Sequence, residues 1–143
     1  MKTKFSSSST SLALGGFILM GLGLYFLLIR PPLLPEDSRF MGTTPAQLQT
    51  TLPGLLIWLR RVFWVMGGFM FATGALTIYI AVTTFRQSAG SAPFVVGLAS
   101  LTSIGWMAVI NFMIDSDFKW LLLAFNFPWM TALILSWRKD RQV

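Results

Sequence analysis

Polar and apolar positions along this chain fall into long blocks, not into the short alternation of strands. Four apolar blocks cover about 11–30, 55–86, 93–114 and 118–137. A helix needs about 20 apolar residues to cross a bilayer's hydrocarbon, and each block meets that length. The pattern therefore predicts an all-α fold, a four-transmembrane-helix bundle forming a single integral membrane domain over 1–143. An exofacial loop, about 31–54, separates the first two helices.

The connectors carry the stop and start signals. Arg30 and Pro31-Pro32 end the first block, because proline cannot continue the hydrogen-bond ladder and restricts the residue before it. Within the loop, Thr44-Pro45-Ala46-Gln47 reads as an N-cap, a proline at the first helical position and a glutamine at the third. This predicts a short interfacial helix over about 45–52, ended by Pro53-Gly54. The second block has an uncharged stretch from Val62 to Phe85, preceded by two turns that carry Arg60 and Arg61. Trp58, Phe63 and Trp64 suit the headgroup depth there. Arg86 to Ala92 forms a polar turn. Asp115-Ser116-Asp117 ends the third block and can cap the fourth, and Pro128 predicts a kink near the fourth helix's middle. The opening MKTKFSSSST reads as a flexible polar tail. The apolar run behind it is longer than a signal-peptide core and ends in Leu-Leu-Ile-Arg-Pro-Pro, a poor cleavage site, so it reads as a retained helix.

Composition agrees with that patterning. Hydrophobic residues make up 55% of the 143 and charged residues 11%, against about 25% charged in a soluble domain. The chain has neither cysteine nor histidine, which excludes disulfides, thiol chemistry, His-ligated metals and a histidine base. The net charge of +6 reflects basic residues at the edges of apolar blocks, where they set orientation and meet anionic headgroups. It does not point to nucleic acid.

Orientation follows from counting cations by side. Lys2, Lys4, Arg86, Arg138, Lys139 and Arg141 make six on the side of the termini; Arg30, Arg39, Arg60, Arg61 and Lys119 make five on the other. Four of the five acids share the latter side. The positive-inside rule counts cations, so both termini are expected in the cytoplasm of a bacterial inner membrane.

Two sets of residues carry candidate chemistry. The first is an exofacial polar cluster of Glu36, Asp37, Arg39, Arg60, Arg61, Asp115 and Asp117. It reads either as a small anion site, with Arg60 and Arg61 holding a phosphate or lipid headgroup, or as ion pairs that tie the loop over the bundle. The second set is Asn111 and Asn126, the deep amides. Each is expected to bond across to a neighbouring helix, or alternatively to line a small pore or ligand slot. No Asp, Glu, Lys or Arg falls inside an uncharged span, which argues against a proton-coupled pump. Small residues form stripes at Gly68/Ala72/Ala75, at Gly67/Gly74 and along the third block (Gly97/Ser100, Ala99/Ser103, Gly105/Ala108). Such stripes pack a bundle internally or form a homo-oligomer seam. Trp120 and Trp137 bracket the fourth span as interface residues, with Trp129 between them.

The stretches RPPLLPEDSRFMG, RRVFWVMGGFMFATGALTIYIA and SIGWMAVINFMIDSDFKW together resemble a group of small four-helix bacterial inner-membrane proteins of unknown function. The resemblance implies a four-helix inner-membrane protein and lends no catalytic residues. The expected function is non-enzymatic: an accessory or interaction subunit that uses the exofacial loop as its recognition surface, with no catalytic, cofactor or metal site. The alternative is a small oligomeric channel, transporter component or lipid-binding protein. The expected partners are the lipid bilayer and either a second copy or another membrane protein.

Overall fold

The computed structural model describes residues 6–85 and 91–140. Among these the fold is all-α, with eight α-helical segments and one π-helical turn. Helix α1 covers Ser7–Leu28, α2 Pro35–Met41, α3 Pro45–Thr51 and α4 Pro53–Val82. Next come α5, Ala92–Ser100, the π-helical turn Leu101–Gly105, and α6, Trp106–Met113. The last two are α7, Lys119–Ala124, and α8, Phe127–Asp140. Four helical stretches are long and apolar enough to cross a membrane: Ser7–Leu28, Pro53–Val82, Ala92–Met113 and Lys119–Lys139. We refer to them as the first to fourth spans.

Large apolar side chains point outward all along these spans. Leu28 is 77% exposed, Phe94 74% and Phe69 72%. A water-soluble bundle rarely exposes so continuous an apolar surface, whereas hydrocarbon solvates it. The chain is a multi-pass membrane protein.

Contacts run from the second span to the first, from the first to the fourth, and from the fourth to the third. The first pair is the closest. Gly16 and Gly23 on α1 face Gly74 and Gly67 on α4. A Cβ added at Gly23 would lie 2.7 Å from the Gly67 carbonyl oxygen, and one at Gly74 would lie 2.6 Å from that of Gly16. Each pair is a heptad apart, so one seam brings both into register. The Gly67/Gly74 stripe therefore packs internally. Gly68, with Ala72 and Ala75, lies on a separate, exposed face, where nothing stands within 4 Å of Gly68.

Against the other side of α1 sits Trp129 of α8, 1% exposed. A Cβ at Gly15 would fall 2.6 Å from its Nε1. Leu12, Leu19, Ala81, Phe85, Ala92, Val96, Ile104 and Ala132 share its core cluster.

The Ser6–Thr10 run is not a loose tail. Ser7 opens α1, Ser8 and Ser9 are buried, and the Ser9 hydroxyl donates to the Ala81 carbonyl of α4. A serine near a helix start can follow its helix into the interface because its hydroxyl is small enough to reach a neighbouring carbonyl. The cations Lys2, Lys4, Arg86 and Arg141, which entered the orientation count, lie outside the described residues, as does most of the polar turn at 86–92.

The fourth span breaks earlier than Pro128 suggests. Helix α7 ends at Ala124, and Pro128 occupies the second position of α8, where a missing N–H costs no bond. At the break the Asn126 N–H bonds to Leu123 O at 3.1 Å in place of Leu122 O. The Asn126 side-chain Nδ2 takes over, donating to Leu122 O at 2.9 Å. Ser11 of α1 ties this region to the first span, donating to Pro128 O at 2.8 Å.

The loop between the first two spans holds two helices, not one. Helix α3 starts as its motif indicates: the Gln47 N–H donates to Thr44 Oγ1, and Gln47 Oε1 accepts from the Thr44 N–H. Helix α2 is the additional element, started by Pro35 and ended by Gly42 in the left-handed conformation at φ 65°.

Gly74→Val is expected to force α1 and α4 apart and lower stability by about 1–3 kcal/mol or more. Gly68→Val should leave it unchanged. Thermal melts of the detergent-solubilised protein, followed by circular dichroism, check the pair.

Candidate functional site

Most of the polar candidates meet at the end of the bundle that carries α2, α3 and the turn between the third and fourth spans. They meet there because α2 folds back over that turn. Its start is fixed by Asp37, whose Oδ2 accepts from the Leu34 N–H at 2.9 Å. The same oxygen accepts from Arg30 Nη2 at 3.2 Å.

Arg30 is the anchor of this cap, and its side chain is only 8% exposed. Its guanidinium lies 3.6 Å from the centroid of the Phe63 ring on α4 and 5.2 Å from that of Phe26 on α1. Phe26 and Phe63 themselves meet edge to face at 5.9 Å. A cation over an aromatic face gains about 0.5–2 kcal/mol, more as water is excluded. Arg30 thus joins α1, α4 and α2 at one point. The cation had a visible role as a helix stop, but its rings lie four residues before it and 33 after it. Only the α1–α4 packing reveals them.

Three further ties run from α2 to the turn. Glu36 is 2% exposed and accepts from the Ser116 hydroxyl at 3.1 Å. Ser116, itself 1% exposed, accepts from the Phe118 N–H at 3.2 Å just ahead of α7. Arg39 pairs with Asp117 at 3.0 Å and donates to the Asp115 carbonyl at 3.4 Å. Asp115 stands in the left-handed region at φ 52°, a conformation that aspartate tolerates better than branched residues, and its carboxylate pairs with Lys119.

Five of the seven cluster residues, Glu36, Asp37, Arg39, Asp115 and Asp117, therefore lie in one network, though not all of them contact one another. Arg60 and Arg61 do not join it: both are exposed and form no ion pair or hydrogen bond among the described residues. The α2 acids are taken instead by Arg30 and Ser116. Arg30, Lys119 and Ser116 are the members that the sequence-derived cluster lacked, and Ser38 lies buried beside them on α2. Ser38 is 6% exposed, with a buried hydroxyl lacking a partner among the described residues. A serine in an acidic turn gives no signal of burial until the loop that covers it is known.

Charge on the cap moves two proton equilibria. The bond and charge of Lys119 hold the Asp115 carboxyl below its ordinary value of 3.8, with a smaller contribution from Arg39. Asp117 raises the Arg39 guanidinium further still.

The deep amides behave differently from expectation. Asn111 Nδ2 donates to Met107 O of its own helix at 2.9 Å, and Asn126 Nδ2 to Leu122 O of its own span. Neither bonds across to a neighbouring helix, because a carbonyl one turn back is the nearest acceptor in a medium without water. Asn126 nevertheless reaches a second environment. It lines a groove of about 530 Å³ between the third and fourth spans, with Phe112, Met113 and Leu123 among the walls.

Ser116→Ala would leave the buried Glu36 carboxyl without its partner. It should destabilise the cap by about 1–3 kcal/mol, read as earlier amide exchange of α2 while the spans stay protected. The Asp115 titration, followed by NMR, should have its midpoint below 3.8. The lowered carboxyl means that the tie to Lys119 is fully present above the unfolded value. It is lost only as pH falls through the folded one.

No family model, no curated protein and no solved structure matches this chain.

Proposed function

We propose that the chain is a non-enzymatic accessory or interaction subunit of a bacterial inner membrane, with both termini in the cytoplasm and the cap as its outward recognition face. One observation carries this reading. The cap's acids and Arg30 are used internally to hold α2 in place, while the same helix turns apolar side chains away from the bundle. Phe40 is 65% exposed and Met41 44% exposed at its end. A connector serving only to join two spans needs no such fixed helix. Rigid presentation of apolar anchors is how a binding surface avoids the cost of ordering itself on contact. The unpaired Arg60 and Arg61 add charge alongside, suited to an acidic partner segment or to headgroups.

A second reading, an oligomeric channel, transporter component or lipid-binding protein, draws on the outward stripe of Gly68, Ala72 and Ala75. Small residues at that spacing let a second helix approach closely.

The two readings separate on purification of the full chain in mild detergent. The accessory role predicts a stoichiometric foreign membrane subunit that is lost in the Phe40→Glu/Met41→Glu double variant, while the variant remains monodisperse. A homo-oligomer of the wild type, dispersed by Ala72→Ile and indifferent to the cap changes, would replace it with the second reading.

A further inference from the structure

The groove between the third and fourth spans is independent of the cap and of whatever meets it. Its volume of about 530 Å³ lies within the range of small-molecule sites. It is open along one side, on the membrane-spanning part of the protein, so anything entering comes from the lipid phase. Val109, Phe112, Met113, Leu123 and Met130 make its walls. Asn126 is the one polar side chain among them.

That side chain has a defined orientation. Its partner inside the span is the Leu122 carbonyl, which can only accept, so the amide nitrogen must face Leu122. The Oδ1 end is left over, and among the described residues it has no hydrogen-bond donor. Asn126 as a whole is 9% exposed, and it lines the groove, which opens on the membrane-spanning surface. Gly105 lies beside it: a Cβ there would stand at ordinary contact distance, 3.6 Å, from Oδ1. Gly105 closes the π-helical turn, a local feature found often at functional sites.

An acceptor that faces hydrocarbon without a donor is costly. Water is a poor solution here. A held water needs two to four polar partners, and the groove's side chains offer one. A molecule that brings its own apolar body and a single donor satisfies both the walls and the oxygen. We infer that the groove binds one membrane-soluble apolar molecule carrying a hydroxyl or N–H group, of the alkylphenol or long-chain alcohol class, which donates to Asn126 Oδ1.

The test compares 4-hexylphenol with its methyl ether, a near-isostere that lacks the donor. Calorimetric titration of each into the full-length protein in the same micelles cancels the partition of the shared alkyl body. The expected result is saturable one-to-one binding, with the phenol favoured by about threefold to tenfold, as one neutral hydrogen bond allows. In Asn126→Leu that preference should vanish. Because this substitution also removes the Leu122 tie, Val109→Trp provides the second arm. Val109 is 46% exposed, so a larger side chain there blocks the groove without loading the core, and both ligands should lose binding. Equal affinities in the wild type would mean acyl-type filling only and would overturn the proposal. So would a phenol preference that survives both variants, or the absence of saturable binding of either compound.

Discussion

In hydrocarbon, bringing two apolar helices together releases no ordered water, so the usual driving force of a protein core is missing. What remains is contact between atoms, and contact improves as backbones approach. The seam of Gly16, Gly23, Gly67 and Gly74 supplies that approach on α1 and α4. Everything at the loop end is registered to it. Phe26 reaches Phe63 only because these helices lie nearly backbone to backbone, and Arg30 has a ring to sit on only because Phe63 is there. The cap is thus a consequence of the seam, carried one step outward by a cation.

A second constraint runs through the spans. Hydroxyls and amides within them bond mainly to carbonyls one turn back in their own helices, as Thr73 does to Phe69, Thr77 to Thr73 and Thr102 to Leu98. Lipid offers no other partner for an outward polar atom. The bundle consequently has few cross-helix polar ties in its middle. Two cross-helix ties, from Ser9 to Ala81 and from Ser11 to Pro128, lie near the start of α1, the helix in contact with both α4 and α8. Specific polar organisation is concentrated at the ends, where Arg30, Glu36 and Arg39 act.

The architecture was legible because block length is a direct physical requirement of the bilayer and needs no knowledge of neighbours. The four spans and the α3 start at Thr44 follow from local rules of that kind, and the heptad of Gly67 and Gly74 was visible as a candidate seam. Helix α2 was hidden because its N-terminal bond comes from an aspartate that equally suits a charged loop. The site was only half visible. Asp37, Arg39, Asp115 and Asp117 declare themselves by charge, but the pairing of Arg39 with Asp117 depends on the angle at which α2 returns. That angle directs Glu36 to a serine and leaves Arg60 and Arg61 outside. The break at Asn126 was obscured by Pro128, the stronger textual signal, although the amide is the group that makes the interruption tolerable.

Helix α8 carries two neighbours in the chain with opposite duties. Trp129 is wedged against Gly15 of α1, and Met130 forms part of the wall on the far side. Rolling α8 to widen that wall would drive the indole into a backbone already too near to admit even a methyl group. The width of the groove on the α8 side is therefore tied to the packing of Trp129 against Gly15.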